Sequence, residues 1–344
     1  MSVVICAYTE DRWSLLLRSV ASVQAQTQPP EEIIVCVDHN EALFERCRRQ
    51  WADQTDARSP VPVRVMANKY KGRLGSARNT ASEIACGDIV AFLDDDASAD
   101  PTWLERLIPP YDDPSVVAVG GAPLPEFERS RPQWFPFEFD WVFGCAYAGL
   151  PERQAPVLRL IGANMSVRRS ALTEIGGFHS DNHDDMDMCH RLKHHRPSDQ
   201  LVYEPMAQVQ HFVPAVRTTW GYFWRRCFFV NKGKVEALRQ MEEAGNLSAD
   251  VSFVGRALSR GVSKGLRQAL RGDAWGAGRA GAIVAGIVLA GSGHVAGTLR
   301  WHRVRGRRSS GASHPTSEMS VDEQPPEGQY QEPGEGREAW FQSR

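Results

Sequence analysis

The chain has 344 residues, 42% of them hydrophobic and 24% charged, with a formal net charge of −2. That length can bury one large core or two smaller ones, and the composition is that of a soluble globular protein rather than a fibrous or fully disordered one. No nucleic-acid partner is expected.

The charge is unevenly placed. Between residues 217 and 308 seventeen Lys/Arg stand against five Asp/Glu, whereas residues 309–344 hold two against seven. An acidic body is thus joined to a basic segment and an acidic tail. The 7 cysteines form no Cys-x-x-Cys pair and lie mostly among apolar residues, as free core thiols do. This points to a reducing cytoplasm. No signal peptide precedes the first strand, which begins almost at Met1.

In chain order, residues 2–7 read as a buried strand and residues 8–12 as a loop. A helix follows over residues 13–26, with Leu16, Val20 and Val23 at helical spacing. Residues 33–37 form a second buried strand with Asp38 just past its end. A helix over 41–51 then leads to a short strand at 63–66. Gly72-Arg73-Leu74-Gly75 opens a third helix reaching Ala85, and Gly87-Asp88 launches an apolar strand, Ile89 to Leu93. Strands alternate with helices through short links, so the fold expected is α/β, doubly wound, with a mostly parallel sheet and helices on both faces.

That strand stops at Asp94-Asp95-Asp96. In open α/β sheets, ligands bind in the crevice beyond the carboxyl ends of the strands. Alternation sends Asp94 and Asp96 to one side and Asp95 to the other. Two like charges on one side favour a cation between them, and hard oxygen ligands suit Mg²⁺ or Mn²⁺ held with substrate phosphates. The bland alternative is an acidic helix cap, but Asp100-Pro101 already offers that cap to the next helix. The Gly-x-x-Gly pair lacks both the preceding strand of a dinucleotide fingerprint and a Walker lysine. With Arg73 beside a helix N-terminus it can attract a diphosphate.

Residues 116–119 read as a strand ending at Gly120-Gly121. Residues 123–156, rich in aromatics and proline, read as a long loop with short helices on the acceptor side. Gly162-Ala163-Asn164-Met165, then Gly176-Gly177-Phe178, then His183-Asp184-Asp185-Met186-Asp187 form a second constellation. The three acids suit a helix start, and a second acidic cluster so far from the first also suggests proton transfer by one of them. His183, His190, His194 and His195 lack the spacing of a zinc site. His211, after the strand-like residues 207–210, is placed to face the crevice and is a candidate metal ligand.

Taken together these motifs resemble the inverting glycosyltransferases of family 2, which have the GT-A fold. The resemblance covers residues 2 to about 230. It implies a nucleotide-sugar donor, a UDP-sugar foremost, bound by Ala7, Tyr8, Glu10, Asp38, Arg73, Asp94 and Asp95. Mn²⁺ or Mg²⁺ would be held by Asp96 with Asp94 and His211. Asp185 would be the general base, with Asn164 and Asp184 on the acceptor side. The first acid of the family's Glu-Asp pair is here the shorter Asp184. The Gln-x-x-Arg-Trp motif of processive synthases is replaced by Trp224-Arg225-Arg226-Cys227, which favours transfer of a single sugar. A sugar-phosphate nucleotidyltransferase and a non-catalytic nucleotide-sugar-binding module are the alternatives.

The expected organisation is a catalytic domain over 1–215, with a donor half to about 120 and an acceptor half beyond it. A basic helical segment follows over 216–302, then a disordered tail over 303–344 containing Trp340-Phe341. Over residues 250–272, Val254, Leu258, Val262, Leu266 and Leu270 recur every four residues beside a stripe of Arg256, Arg260, Lys264, Arg267 and Arg271. This reads equally as an interfacial membrane helix or a packed surface helix. The apolar stretch 280–293 is shorter than the ~20 residues a span needs, which favours a re-entrant or packed hairpin helix. The localisation expected is cytoplasmic, peripheral at the inner face of the membrane, with an anionic lipid surface and a glycan or polyprenyl-linked acceptor as partners.

Overall fold

The computed structural model describes residues 1–52, 61–71, 74–179, 183–240, 255 and 257–309. By its internal contacts the chain divides into Met1–His302 and Arg303–Arg344. In the first unit, β1 (Ser2–Ala7), α1 (Trp13–Gln24), β2 (Glu32–Val37), α2 (Glu41–Gln50), β3 (Val63–Ala67), α3 (Leu74–Ile84) and β4 (Ile89–Asp94) follow the expected alternation. Then come β5 (Ala97–Ala99), α4 (Trp103–Leu107), β6 (Val116–Phe127), β7 (Ala155–Val157), β8 (Asn164–Arg168), α5 (Arg169–Glu174), α6 (Asp184–His195) and β9 (Gln200–Val213). The C-terminal helices are α7 (Trp220–Gln240), α8 (Ser263–Leu270) and α9 (Ala274–Ser309), with a π-helical turn at Ala257–Val262 before α8.

All these strands share one sheet of order β3-β2-β1-β4-β8-β6-β9-β5, with β7 on β9. The four strands β3, β2, β1 and β4 are parallel, whereas β8 runs antiparallel to both β4 and β6. Alternation along β1 explains how both faces are buried: Val3 and Ile5 meet Leu16, Val20 and Val23 of α1, while Val4 meets Ala77 and Ala81 of α3. A third apolar cluster joins Phe135, Phe139 and Phe143 to Phe223 and Cys227 of α7 and Ile283 of α9.

Four expectations change. β6 does not stop at Gly120-Gly121 but runs on to Phe127, with a register shift at the glycines. A Cβ at Gly121 would meet the Ala207 carbonyl and, at 2.5 Å, Asn164 Nδ2. The glycines therefore let three chain segments approach within a bulged strand. Asp100 is not a helix cap: its carboxylate accepts from Thr102 N and Oγ1 at 3.0 and 2.8 Å, forming a turn, and α4 starts at Trp103. The apolar stretch at 280–293 lies inside the 36-residue α9, of which Ala274–Arg300 is long and apolar enough to cross a membrane. Length therefore sets no limit there, since the flanking residues also hold helical conformation. The helix also continues past 303, to Ser309; Trp340-Phe341 and the rest of the tail lie outside the described residues.

Of the expected 250–272 helix, 250–254 and 256 lie outside the described residues, and the rest divides into the π-helical turn and α8. Leu266 and Leu270 are 51% and 88% exposed, so the aliphatic stripe is not what α8 buries. Its packed side is Gly265, where a Cβ would lie 2.7 Å from the Gly276 carbonyl of α9.

Candidate active site

The carboxyl ends of β1, β2 and β4 open on one edge of the sheet, and β9 brings His211 to the same edge. His211 is in register with Ala97, and Phe212 N donates to the Asp96 carbonyl at 2.9 Å. One ligand atom from each of Asp94, Asp96 and His211 lies within 4.8 Å of the others. His211 Nε2 is 3.2 Å from Asp96 Oδ1 and 4.0 Å from Asp94 Oδ2. On the other side of the ring, Nδ1 is 3.5 Å from Cys145 Sγ.

The electrostatics of this cluster are strongly biased. Burial pushes the Asp96 carboxyl upward, but the hydrogen bond and charge of His211, with Arg12, hold it at about 2. Burial pushes His211 down, and the bond to Asp96 outweighs it and holds the ring well above its usual value. Asp95 lies in the turn just past β4 and shares Arg12 Nη1 with Asp96. Burial drives it up to about 7 against the pull of Arg12, and its Oδ2 is buried with no hydrogen-bond partner. Two carboxylates and an imidazole converging this closely fit a divalent cation of the Mn²⁺ or Mg²⁺ type.

Sequence reasoning missed Arg12. Its Nη1 lies 3.0 Å from Asp95 Oδ1 and 3.2 Å from Asp96 Oδ2, and its guanidinium sits 5.3 Å from the Tyr8 ring centroid. Being in the loop at the end of β1, on the crevice side, was its only signal. Cys145, behind His211, gave none.

The second acidic group is tied to the first by Arg78 of α3. Arg78 is 2% exposed. It donates from Nη1 to Asp184 Oδ2 at 2.7 Å, and from Nη2 to Asp94 Oδ1 at 3.3 Å and to the Gly162 carbonyl at 2.9 Å. Gly162 N in turn donates to Asp185 Oδ2 at 2.9 Å, and Met186 N to Asp185 Oδ1 at 2.7 Å. A Cβ at Gly162 would lie 3.2 Å from Asp185 and 3.3 Å from Arg78, so the glycine allows the loop to pass between them. Asp184 is buried by this contact, whereas Asp185 stays partly open. Asp187, the third acid, pairs with Arg191 of its own helix at 2.6 Å.

The remaining expected site residues divide. Tyr8 is 49% exposed at the end of β1, and its carbonyl accepts from Asn40 Nδ2 at 3.0 Å. The Ala7 carbonyl accepts from Asp38 N at 2.8 Å, and Asp38 Oδ1 accepts from Asn68 Nδ2 at 2.7 Å. These three stand at neighbouring strand ends on the crevice edge. Glu10 lies in the turn beyond, 3.3 Å from Arg46 of α2. Arg73 lies outside the described residues. Asn164 does not reach the crevice: it is fully buried, accepts from Trp103 Nε1 at 2.8 Å and donates to the Ala207 carbonyl at 2.8 Å. With both ends of its amide engaged, its role is to join β8, α4 and β9, which corrects the acceptor-side reading of this residue.

Residues 2–176 match the family described as Glycosyl transferase family 2. The chain is 32% identical over 244 residues to a glucosyl-dolichyl phosphate glucuronosyltransferase of Haloferax volcanii, covering 68% of this chain and 76% of that protein. It is 31% identical over 157 residues to a pre-mycofactocin glycosyltransferase of Mycobacterium tuberculosis, 43% of this chain but only 32% of that protein. Among solved structures, the mannosyltransferase PcManGT of Pyrobaculum calidifontis, in complex with GDP-Man and Mn²⁺, superposes with a TM-score of 0.53 at 17% identity. The match covers 84% of this chain and 86% of that one. The likeness is one of fold, the GT-A arrangement of a mixed sheet between helices.

Proposed function

The chain belongs to glycosyl transferase family 2 and is a glycosyltransferase, and we propose that it moves one sugar, with inversion, from a UDP-sugar to a hydroxyl of a lipid-linked acceptor. The observation that carries this reading is the single crevice in which Arg78 joins Asp94, beside Asp96 and His211, to the loop that holds Asp185.

Each group has a role in this reading. Tyr8, Ala7, Asp38 and Arg73 bind the nucleoside. Asp94, Asp96 and His211 hold Mn²⁺ or Mg²⁺, and such a cation, when bound, neutralises charge on a departing diphosphate. Arg12, already paired to Asp95 and Asp96, adds a fixed positive charge beside that diphosphate. Asp185 takes the proton of the acceptor hydroxyl, which attacks the anomeric carbon from the face opposite the leaving group and so inverts it. Its two backbone N–H contacts orient the carboxylate. Asp184, buried against Arg78, positions the loop and is not the base.

The lipid-linked acceptor draws support from the relative's glucosyl-dolichyl phosphate and from the C-terminal helices. α9 presents Val284, Val288, Val295 and Leu299 to the exterior, and α8 presents Leu266 and Leu270 beside Lys264, Arg267 and Arg271. On its other side α9 lies along α7: Gly286 faces Phe139 and Phe223, Gly293 the Phe228 carbonyl, and Gly297 the Lys232 carbonyl at 2.7 Å. α7 carries Arg225, Arg226, Lys232 and Lys234, charges that a bilayer core rejects. A helix attached along its length to such a partner lies at the interface rather than across it. In this reading the enzyme works peripherally, at the cytoplasmic face. In this organisation residues 1–120 take the donor, 121–215 the acceptor, and 216–302 the membrane surface.

The test is a donor panel with Mn²⁺ and glycosylated prenyl phosphates as acceptors. Transfer from a UDP-sugar with inverted anomeric configuration in the product is expected. Failure of every donor to be either transferred or hydrolysed refutes the reading.

A further inference from the structure

His211 meets the crevice with its two ring nitrogens turned to opposite sides. Nε2 faces Asp96 Oδ1 at 3.2 Å, and Nδ1 lies 3.5 Å from Sγ of the fully buried Cys145. Cys145 belongs to the loop rich in aromatics and proline. A 3-10 helical turn over Phe137–Phe143 ends at Gly144, whose φ of 78° is open to glycine. That bend brings Cys145 onto the imidazole, and a Cβ at Gly144 would lie 3.5 Å from His211 Cε1. The backbone on either side is fixed. Cys145 N donates to the Asp140 carbonyl at 3.1 Å, and Ala146 N to the Pro123 carbonyl of β6 at 2.8 Å. Phe143 stacks on Phe135 with ring centroids 4.3 Å apart and meets Phe127 edge to face. The Phe143 carbonyl lies 3.9 Å from Sγ.

Only one arrangement of protons lets such a ring serve a cation. For Nε2 to offer its lone pair beside Asp94 and Asp96, the ring proton must stand on Nδ1. Nδ1–H then donates to Sγ, and the thiol proton is left to donate to the Phe143 carbonyl. Carbonyl, thiol and imidazole thus form a relay in which every donor has an acceptor. A histidine that holds a metal ordinarily donates its other ring N–H to a fixed acceptor, which sets both tautomer and ring orientation. Sulfur is a weak acceptor, but with both side chains buried water does not compete for the N–H. We propose that Cys145 is a positioning residue for the cation site, accepting from His211 Nδ1–H and so keeping Nε2 turned to Asp94 and Asp96 as a ligand. The proposal rests on the reading of those three residues as the Mn²⁺ or Mg²⁺ site and adds to it what orients the third ligand.

The experiment is titration of the full chain with Mn²⁺ in the presence of UDP, read by the electron paramagnetic resonance signal of free Mn²⁺. Cys145→Ala and Cys145→Val both remove the acceptor, one leaving space and the other filling it. Each should weaken Mn²⁺ by roughly tenfold or more, the range for the partner of a ligating histidine. Cys145→Ser restores an acceptor and should lose less than about tenfold. His211→Ala should weaken Mn²⁺ at least as much as Cys145→Ala, and combining the two should cost nothing further, because both act through one ligand. Melting curves recorded without Mn²⁺ report that each variant is folded. Additive losses in the double variant mean a general structural role for Cys145 and overturn the proposal. Unaltered Mn²⁺ affinity in both Cys145→Ala and Cys145→Val, with His211→Ala weakened, also overturns it and leaves the cation site standing. If His211→Ala binds Mn²⁺ like the wild type while Asp96→Ala does not, His211 is no ligand, and the cation-site reading of that residue fails together with the proposal.

Discussion

Arg78 Nη1 lies 2.7 Å from Asp184 Oδ2, and the two side chains are 2% and 9% exposed. The same guanidinium reaches Asp94 and the Gly162 carbonyl, so one buried cation spans the two acidic groups of the crevice. Burial raises the Asp184 carboxyl and Arg78 opposes the shift, with Asp185 adding to it, for a balance at about 6. A carboxylate used this way serves structure, which is why the base is assigned to its neighbour.

Arg78→Met should leave Asp184 buried without its cation. Removing one partner of a buried pair costs about 3–5 kcal/mol, and the loss should be read as a lowered melting temperature. Arg78→Lys keeps the charge but not the fork that reaches both Asp184 and Gly162. It should melt closer to the wild type and still turn over poorly. Equal melting of all three proteins would show that the bridge contributes nothing to stability.

Asp96→Ala and Asp185→Ala should fail in different ways. Loss of Asp96 removes a carboxylate from the cluster with His211, so binding of UDP in Mn²⁺ should weaken. Loss of Asp185 should leave UDP binding nearly intact while turnover drops by roughly 10²–10⁴-fold, the range for a general base. Normal turnover by Asp185→Ala would move the role to another group.

His183, which precedes α6 in the left-handed region at φ 62°, makes a pH prediction. Burial lowers its pKa; Asp185 opposes, and Lys234, Arg226 and Arg159 reinforce, to about 4 in the fold, against 6.5 for the free side chain. The folded ring stays neutral while the unfolded one takes a proton. Its contribution to stability is therefore full above pH 6.5 and is lost as pH falls from 6.5 towards 4. With allowance for the ring's partial exposure this is on the order of 2 kcal/mol. His183→Asn, a residue that tolerates positive φ, should flatten the fall in melting temperature over that window. Parallel curves for both proteins would count against it.

The C-terminal helices predict salt-sensitive membrane binding. The full chain should sediment with anionic vesicles at low ionic strength, stay in solution with neutral ones, and be released by salt. Replacing the exposed Lys264, Arg267 and Arg271 with serine should weaken binding by about 1 kcal/mol each. Sedimentation that resists salt and yields only to detergent would mean that α9 spans the bilayer.

Much of this architecture was legible in the chain itself. Ser2–Ala7, Glu32–Val37 and Ile89–Asp94 are apolar runs ended by polar residues, and Leu16, Val20 and Val23 recur at the helical period. Burial on both faces of a parallel strand writes itself into local hydrophobicity, and Asp94 and Asp96, expected on one side, do converge with His211. Local pattern could also mislead. Gly120-Gly121 looked like a strand end because the need for glycine there comes from Ala207 and Asn164, both distant in sequence. Asn164 looked like a crevice residue because nothing near it in sequence shows that Trp103 and Ala207 engage its amide. Arg12 against Asp95 and Asp96, Arg78 between Asp94 and Asp184, and Arg226 near His183 are all long-range meetings of charge. Sequence determines which residues are apolar and with what period. Only the fold decides which charges are buried together, because that depends on how strands far apart in the chain are ordered in the sheet.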